Sequence, residues 1–281
     1  MRYIFLQIAL VLLLISPSFT QELTSAKLAY EDMEKTLGLT PTFLRLYPES
    51  AISGAWEAHK NLASKGVIPA KYKEMMGLAV ASQVPCTYCV YFHTKALKMH
   101  KASDEEIKES VAIAAQTRKW STVINGADIE YGWFKKDVDL VVKYLSAKDK
   151  PKMAQKDGEY ALTCNDITTT FGRVPMFLEA YPKHALAGAW KDLKALQLSK
   201  TSIPGKYKQL LAVGISAQIP CKYCVYFHKE MAKLNGASKA EIQEMIAIAA
   251  ETRQWSTYIN GMGMDYEAFT KEVDLIFMPK Q

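Results

Sequence analysis

The sequence predicts an all-α protein built from two similar helical copies in tandem, and three observations carry that prediction. The stretch PCTYCVYFH from Pro85 to His93 returns as PCKYCVYFH from Pro220 to His228, displaced by 135 positions. Within each copy the apolar pattern is helical, with no alternating run bounded by hairpin turns that would call for a sheet. Ser103 followed by Glu106, and Ser238 followed by Glu241, are capping-box starts to helices that run towards Trp120 and Trp255.

At the N-terminus, Arg2 precedes an apolar run from Ile4 to Ile15 broken only by Gln7, with small residues at Ser18 and Thr20. That run is short of the roughly 20 residues a spanning helix needs, so residues 1–20 are expected to be a secretory signal peptide cut before Gln21. The mature chain is then exported, to a periplasm or the medium, with no stable membrane insertion. Its composition is globular, 49% hydrophobic and 23% charged. A net charge of +6, scattered without a basic arm, gives no reason to expect a nucleic-acid partner.

The repeat extends both ways from the cysteines. TFLRLYPESAISGAW, ending at Trp56, answers MFLEAYPKHALAGAW, ending at Trp190, displaced by 134, so the second copy has one extra residue before Pro204. AIAAQTRKWSTVING from Ala112 answers AIAAETRQWSTYING from Ala247. The domains are placed at 21–147 and 159–281, joined by a charged linker, 148–158, that holds Pro151. Pro41, Pro48, Pro69 and Pro85, matched by Pro175, Pro182, Pro204 and Pro220, punctuate the shorter helices, and Gly126 and Gly261 come where the long ones should stop.

The five cysteines fall as Cys86 with Cys89, Cys164 alone, and Cys221 with Cys224. Each pair closes too short a loop to restrain much of the unfolded chain, which points to reactive chemistry rather than a staple. Pro85 belongs at a helix start, so Cys86 is expected in the first turn, with Cys89 and His93 on the same face. The helix N-terminus favours a thiolate there, and His93 stands where it can accept the Cys89 proton. Glu74, on a helix expected over 71–81, can orient His93. Its counterpart in the second copy is Gln209, an amide that cannot take a proton, so the second site is expected to be slower or altered in role.

The arrangement of Glu74, eleven residues, Cys86-x-x-Cys89, three residues and His93 resembles the motif of the alkylhydroperoxidase D (AhpD) family, within the carboxymuconolactone decarboxylase superfamily. The resemblance covers nearly the whole mature chain, twice. It implies two AhpD-like domains, homo-oligomers such as trimers, and reduction of hydroperoxides by a redox-active cysteine pair. It makes Cys89 the attacking thiolate, Cys86 the resolving thiol, and His93 with Glu74 a proton relay. Cys224, Cys221 and His228 take those roles in the second copy, with Gln209 interrupting the relay. Tyr88 and Tyr223 depart from the family, which often has His between the cysteines. Neither metal nor organic cofactor is implied, but a thiol reductant is, to regenerate the dithiol.

Rival readings are a zinc site, for which a fourth ligand is not evident, and a plain structural disulfide. At the level of function they are a protein thiol–disulfide oxidoreductase and a non-catalytic helical assembly protein. His59, His100 and His184 do not recur between copies and read as surface or capping residues. Cys164 reads as a small apolar residue, and the recurring Trp56, Trp120, Trp190 and Trp255 as core or subunit contact.

Overall fold

The computed structural model describes residues 19–151 and 157–278. Residues 1–18 of the expected signal peptide, and 152–156 of the expected linker, lie outside the described residues. The described chain is helical and contains no strand. The first copy comprises α1 (Phe19–Leu37), α2 (Thr42–Arg45), α3 (Glu49–Ser64), α4 (Ala70–Gln83), α5 (Thr87–Met99), α6 (Asp104–Gly126) and α7 (Tyr131–Ser146). The second repeats the series as α8 (Glu159–Phe171), α9 (Met176–Glu179), α10 (Leu186–Leu193), α11 (Gly205–Gln218), α12 (Lys222–Leu234), α13 (Lys239–Met262) and α14 (Tyr266–Phe277). No helix among the described residues is long and apolar enough to cross a membrane.

The described residues divide into two compact units, one ending at Glu57 and the other beginning at Ala58. In the first, the Trp56 indole donates to Asp32 Oδ2 at 2.6 Å, tying the middle of α3 to α1. Trp190 donates to Asp166 Oδ2 at the same distance in the second copy, joining α10 to α8. Both capping boxes form: Ser103 and Ser238 each accept the backbone N–H three residues on, and Glu106 and Glu241 reach back. The long helices stop at Gly126 and, two residues later than Gly261 would give, at Gly263, which closes α13 in the left-handed conformation.

Within the second unit the copies, consecutive in sequence, interleave in space. Helix α6 packs on α11 and α12 of the other copy, α13 packs on α4 and α5, and α7 and α14 lie against α12 and α5. The shared core joins Met75, Met76, Leu78, Ile113, Leu210, Leu211, Met245 and Ile248. Against it Tyr72 and Tyr207, both partly buried, stack with centroids 3.5 Å apart and planes 11° apart.

A reciprocal pair of buried ion pairs fastens the two copies. Lys73 Nζ lies 2.6 Å from Glu244 Oε1, and Lys208 Nζ lies 3.2 Å from Glu109 Oε1. Glu244 also accepts the backbone N–H groups of Val67 and Ile68, and Glu109 that of Ile203 and the hydroxyl of Thr201. Burial disfavours the Glu244 carboxylate, but the Lys73 ammonium and the two backbone donors outweigh it and hold that carboxyl below its ordinary range. Gly66 stands where Thr201 stands in the second copy. With φ of +102° and a Cβ position 2.2 Å from Glu244 Oε1, it leaves the room that carboxylate occupies.

The extra residue of the second copy has a definite place. Between Leu196, which answers Leu62, and Ser199, which answers Ser64, lie Gln197 and Leu198 where the first copy has Ala63 alone. The chain absorbs the insertion as a π turn over Lys194–Leu198, continuing α10, whereas α3 runs on as a regular α-helix.

Candidate active site

Each cysteine pair opens a helix. Cys86 and Cys221 are extended N-cap residues, with φ, ψ of −116°, 100° and −90°, 97°, so Cys86 stands one position before the first turn in which it was expected. From there its sulfur does the capping work usually done by Ser or Asp: Cys86 Sγ accepts the Cys89 N–H at 3.2 Å, and Cys221 Sγ accepts the Cys224 N–H at 3.3 Å. Cys86 and Cys89 are joined as a disulfide with Cα atoms 5.3 Å apart. Cys221 and Cys224 are free thiols with sulfurs 2.8 Å apart.

Helices α4 and α11 supply the partners of the two imidazoles. His93 Nδ1 lies 2.8 Å from Glu74 Oε2, and His228 Nδ1 lies 2.8 Å from Gln209 Oε1. Either oxygen accepts, which assigns the proton to Nδ1 and leaves Nε2 with its lone pair. The orientation of the Gln209 amide is fixed from behind, because its Nε2 sits 3.3 Å from Gln197 Oε1, on the π turn. The two centres therefore differ in charge. Glu74 is able to stabilise an imidazolium, whereas Gln209 is not, and burial pushes His228 down to about 3.

Gly77 is a residue that sequence reasoning missed. A Cβ there would lie 2.2 Å from His93 Cε1, so the glycine is the seat of the imidazole ring against α4. The corresponding residue in the second copy is Ala212.

The other copy completes the second centre. Cys221 Sγ accepts from Asn125 Nδ2 at 3.4 Å, on α6. Hydrogen bonding from the Cys224 thiol, then from Ser121, the Cys224 N–H and Asn125, overcomes burial and brings Cys221 down to about 5. Cys224 is pushed up by the proton it shares with Cys221 and by burial. The resting charge of the pair sits on Cys221, while Cys224, the attacking sulfur by resemblance, lines a cavity of about 30 Å³. Phe134, Phe177, Leu193, Phe227 and His228 also line it, with Gln116, Thr117 and Trp120 of α6. Trp120 thus faces a cavity as well as the core.

The tyrosines that stand between the paired cysteines act as latches. Tyr88 donates to Met264 O and Tyr223 to Ile129 O, both at 2.6 Å, so each tip is held by the opposite copy. Tyr91 and Tyr226 repeat the exchange, donating to Asp274 and Asp139 at 2.8 and 2.5 Å. Of the unrepeated histidines, His59 lies 3.5 Å from Glu251 Oε1 and edge-on to Trp255. Cys164 is a half-buried free thiol packed against the buried residues around Trp120, Phe134, Phe171 and Trp190.

One consequence is open to direct titration. In reduced protein carrying Cys86→Ser and Cys89→Ser, absorbance at 240 nm should report one thiolate appearing with a midpoint near 5, and Asn125→Ala should raise that midpoint. A midpoint above about 8, the ordinary range of a thiol, would show that the donors around Cys221 do not hold the charge.

Two segments, residues 52–129 and 184–263, match the Carboxymuconolactone decarboxylase family. An uncharacterized protein of Cupriavidus necator is 36% identical over 64 residues, 23% of this chain and 57% of that protein. The chain thus spans a little over half of that relative's length. A protein of Paracoccus denitrificans, described as uncharacterized protein 4 in cox locus, is 32% identical over 90 residues, 30% of this chain and 81% of that one. Among solved structures, a candidate gamma-carboxymuconolactone decarboxylase subunit from Burkholderia xenovorans shares the fold. It aligns with a TM-score of 0.50 at 16% identity, covering 84% of this chain and 92% of that one.

Proposed function

Because the chain belongs to the carboxymuconolactone decarboxylase family, with the family segment present twice, we propose that it is an exported thiol-dependent peroxidase whose principal centre is Glu74, Cys86, Cys89 and His93. The observation that carries this reading is the 2.8 Å contact between Glu74 and His93, on the helix whose N-terminus holds the cysteine pair. In the dithiol form, Cys89 gives its proton to His93, which Glu74 supports as an imidazolium. The Cys89 thiolate attacks the peroxide, the O–O bond breaks, and the departing alkoxide takes the proton from His93. Cys86 then condenses with the Cys89 sulfenic acid, releasing water, so the two sulfurs supply the two electrons that turn a hydroperoxide into alcohol and water. A thioredoxin-like dithiol donor restores the pair, and a trimer of fused copies supplies a six-unit ring.

Stopped-flow mixing of reduced protein with hydroperoxides, with thiol counting, tests the reading. Cys89→Ser should abolish reaction at the first centre, and Glu74→Gln should slow it by about 10²-fold or more, the usual weight of a positioned acid–base group. Gln209→Glu should quicken the second centre. Undiminished peroxide consumption in Cys89→Ser combined with Cys224→Ser would overturn the assignment.

A further inference from the structure

The cavity beside Cys224 contains an anomaly. Gln116, Thr117 and Trp120 are 5%, 2% and 6% exposed, and among the described residues none bonds the Gln116 amide, the Thr117 hydroxyl or the Trp120 indole N–H. Leaving one buried polar group unsatisfied costs about 1–3 kcal/mol, so three together on one turn of α6, aimed into a single cavity, mark a place where a ligand supplies the missing bonds.

The chemistry of the walls defines that ligand. At rest no lining residue carries a formal charge, since His228 is neutral, the Cys224 thiol keeps its proton and the remaining side chains are apolar or uncharged, so a carboxylate or an ammonium group would lose its hydration without gaining a counter-charge. A volume of about 30 Å³ holds roughly two oxygen-sized atoms, on a scale where one water needs about 10–15 Å³. The orphaned groups comprise donors at Trp120 and Thr117, and both a donor and an acceptor at Gln116. We propose that this cavity binds a compact uncharged hydroperoxide, hydrogen peroxide being the simplest, with the first copy's Gln116, Thr117 and Trp120 seating it against Cys224 of the second copy.

The chemistry rests on the peroxidase reading above. At neutral pH the Cys221–Cys224 pair holds one proton and one negative charge. With that proton on Cys221, the Cys224 thiolate attacks one peroxide oxygen, the O–O bond breaks, and hydroxide leaves, stabilised by the indole and hydroxyl donors. Hydroxide takes the Cys221 proton and becomes water. The Cys221 thiolate then displaces a second hydroxide from the Cys224 sulfenic acid to close the disulfide, and solvent protonates it. His228, too weak a base to hold a proton, acts as a positioning residue through its Nε2 lone pair.

The test uses the full chain with Cys86→Ser and Cys89→Ser, so that only the second pair reports, and mass spectrometry to follow its disulfide. Hydrogen peroxide should oxidise it at least tenfold faster than cumene hydroperoxide. Thr117→Val, which keeps the shape of the side chain, and Trp120→Phe should each slow the hydrogen peroxide reaction about tenfold with helical circular dichroism intact. Parent rates in a folded Thr117→Val protein would show that the cavity holds water only and overturn the proposal, as would equal rates with the two peroxides. A companion protein with Cys221→Ser and Cys224→Ser separates this proposal from the broader one. Reaction there but none at the second pair refutes the subsite alone, and silence at both centres refutes the peroxidase reading itself.

Discussion

Replacing Gly77 by alanine is expected to cut the peroxide reactivity of the Cys86–Cys89 pair by about 10²-fold while leaving the fold intact, because misplacing a catalytic group by about 1 Å has that effect on rate. An added Cβ would lie 2.2 Å from His93 Cε1 and 2.3 Å from Nδ1, far inside contact distance, so the imidazole must move, and the 2.8 Å bond to Glu74 must stretch or break. The helix itself favours the change, since alanine in a helix interior is better than glycine by about 1 kcal/mol. Stability and reactivity should therefore part company: the thermal midpoint holds, and the rate of disulfide formation in stopped flow falls. The second copy has Ala212 at this position with its own imidazole bonded at 2.8 Å to Gln209, so its helices are spaced for the methyl group, and the first copy's are not. A Gly77→Ala protein that reacts at the parent rate would show that the ring's seat is not what aligns it.

Lys208→Met should remove about 3–5 kcal/mol of stability and lower the thermal midpoint by roughly 10 °C. Lys208 is fully buried, and its ammonium reaches Glu109 together with the carbonyls of Leu196 and Ser199. Without it the Glu109 carboxylate remains 8% exposed with no cation beside it, and an uncompensated buried charge costs far more than the pair contributes. Lys208→Met combined with Glu109→Gln should recover most of the loss, because the neutral amide still accepts from Ile203 N–H and Thr201. Urea unfolding midpoints decide the matter. A double variant no more stable than the single one would mean that the cost lay in packing rather than in the stranded charge.

What the sequence made legible was local. Ser103 and Glu106 announce a helix because the cap is complete within four residues, and the Glu74–His93 contact follows once two adjacent helices are placed side by side. The interleaving of the copies was hidden because periodicity marks which face of α6 is apolar but not which copy covers it. Gly77 was invisible for a related reason: its role is to be absent from space that a residue on another helix fills. The extra residue before Pro204 could be counted, yet its π turn, and the Gln197 side chain it brings to Gln209, required coordinates. The repeated WST and NG segments around Trp120 and Asn125 did contain a signal for the α6 contribution, although spacing alone assigned Trp120 to core or subunit contact.

Interleaving within one polypeptide changes what a single substitution is able to do. In a symmetric pair of identical chains every replacement appears at both centres, so neither is free to depart from the other. Here a glutamate in one half answers a glutamine in the other, a glycine answers a threonine, and the two residues at the insertion, Gln197 and Leu198, line the cavity beside Cys224. Covalent fusion leaves the two cysteine-bearing helices free to diverge, and each is still held by its sibling.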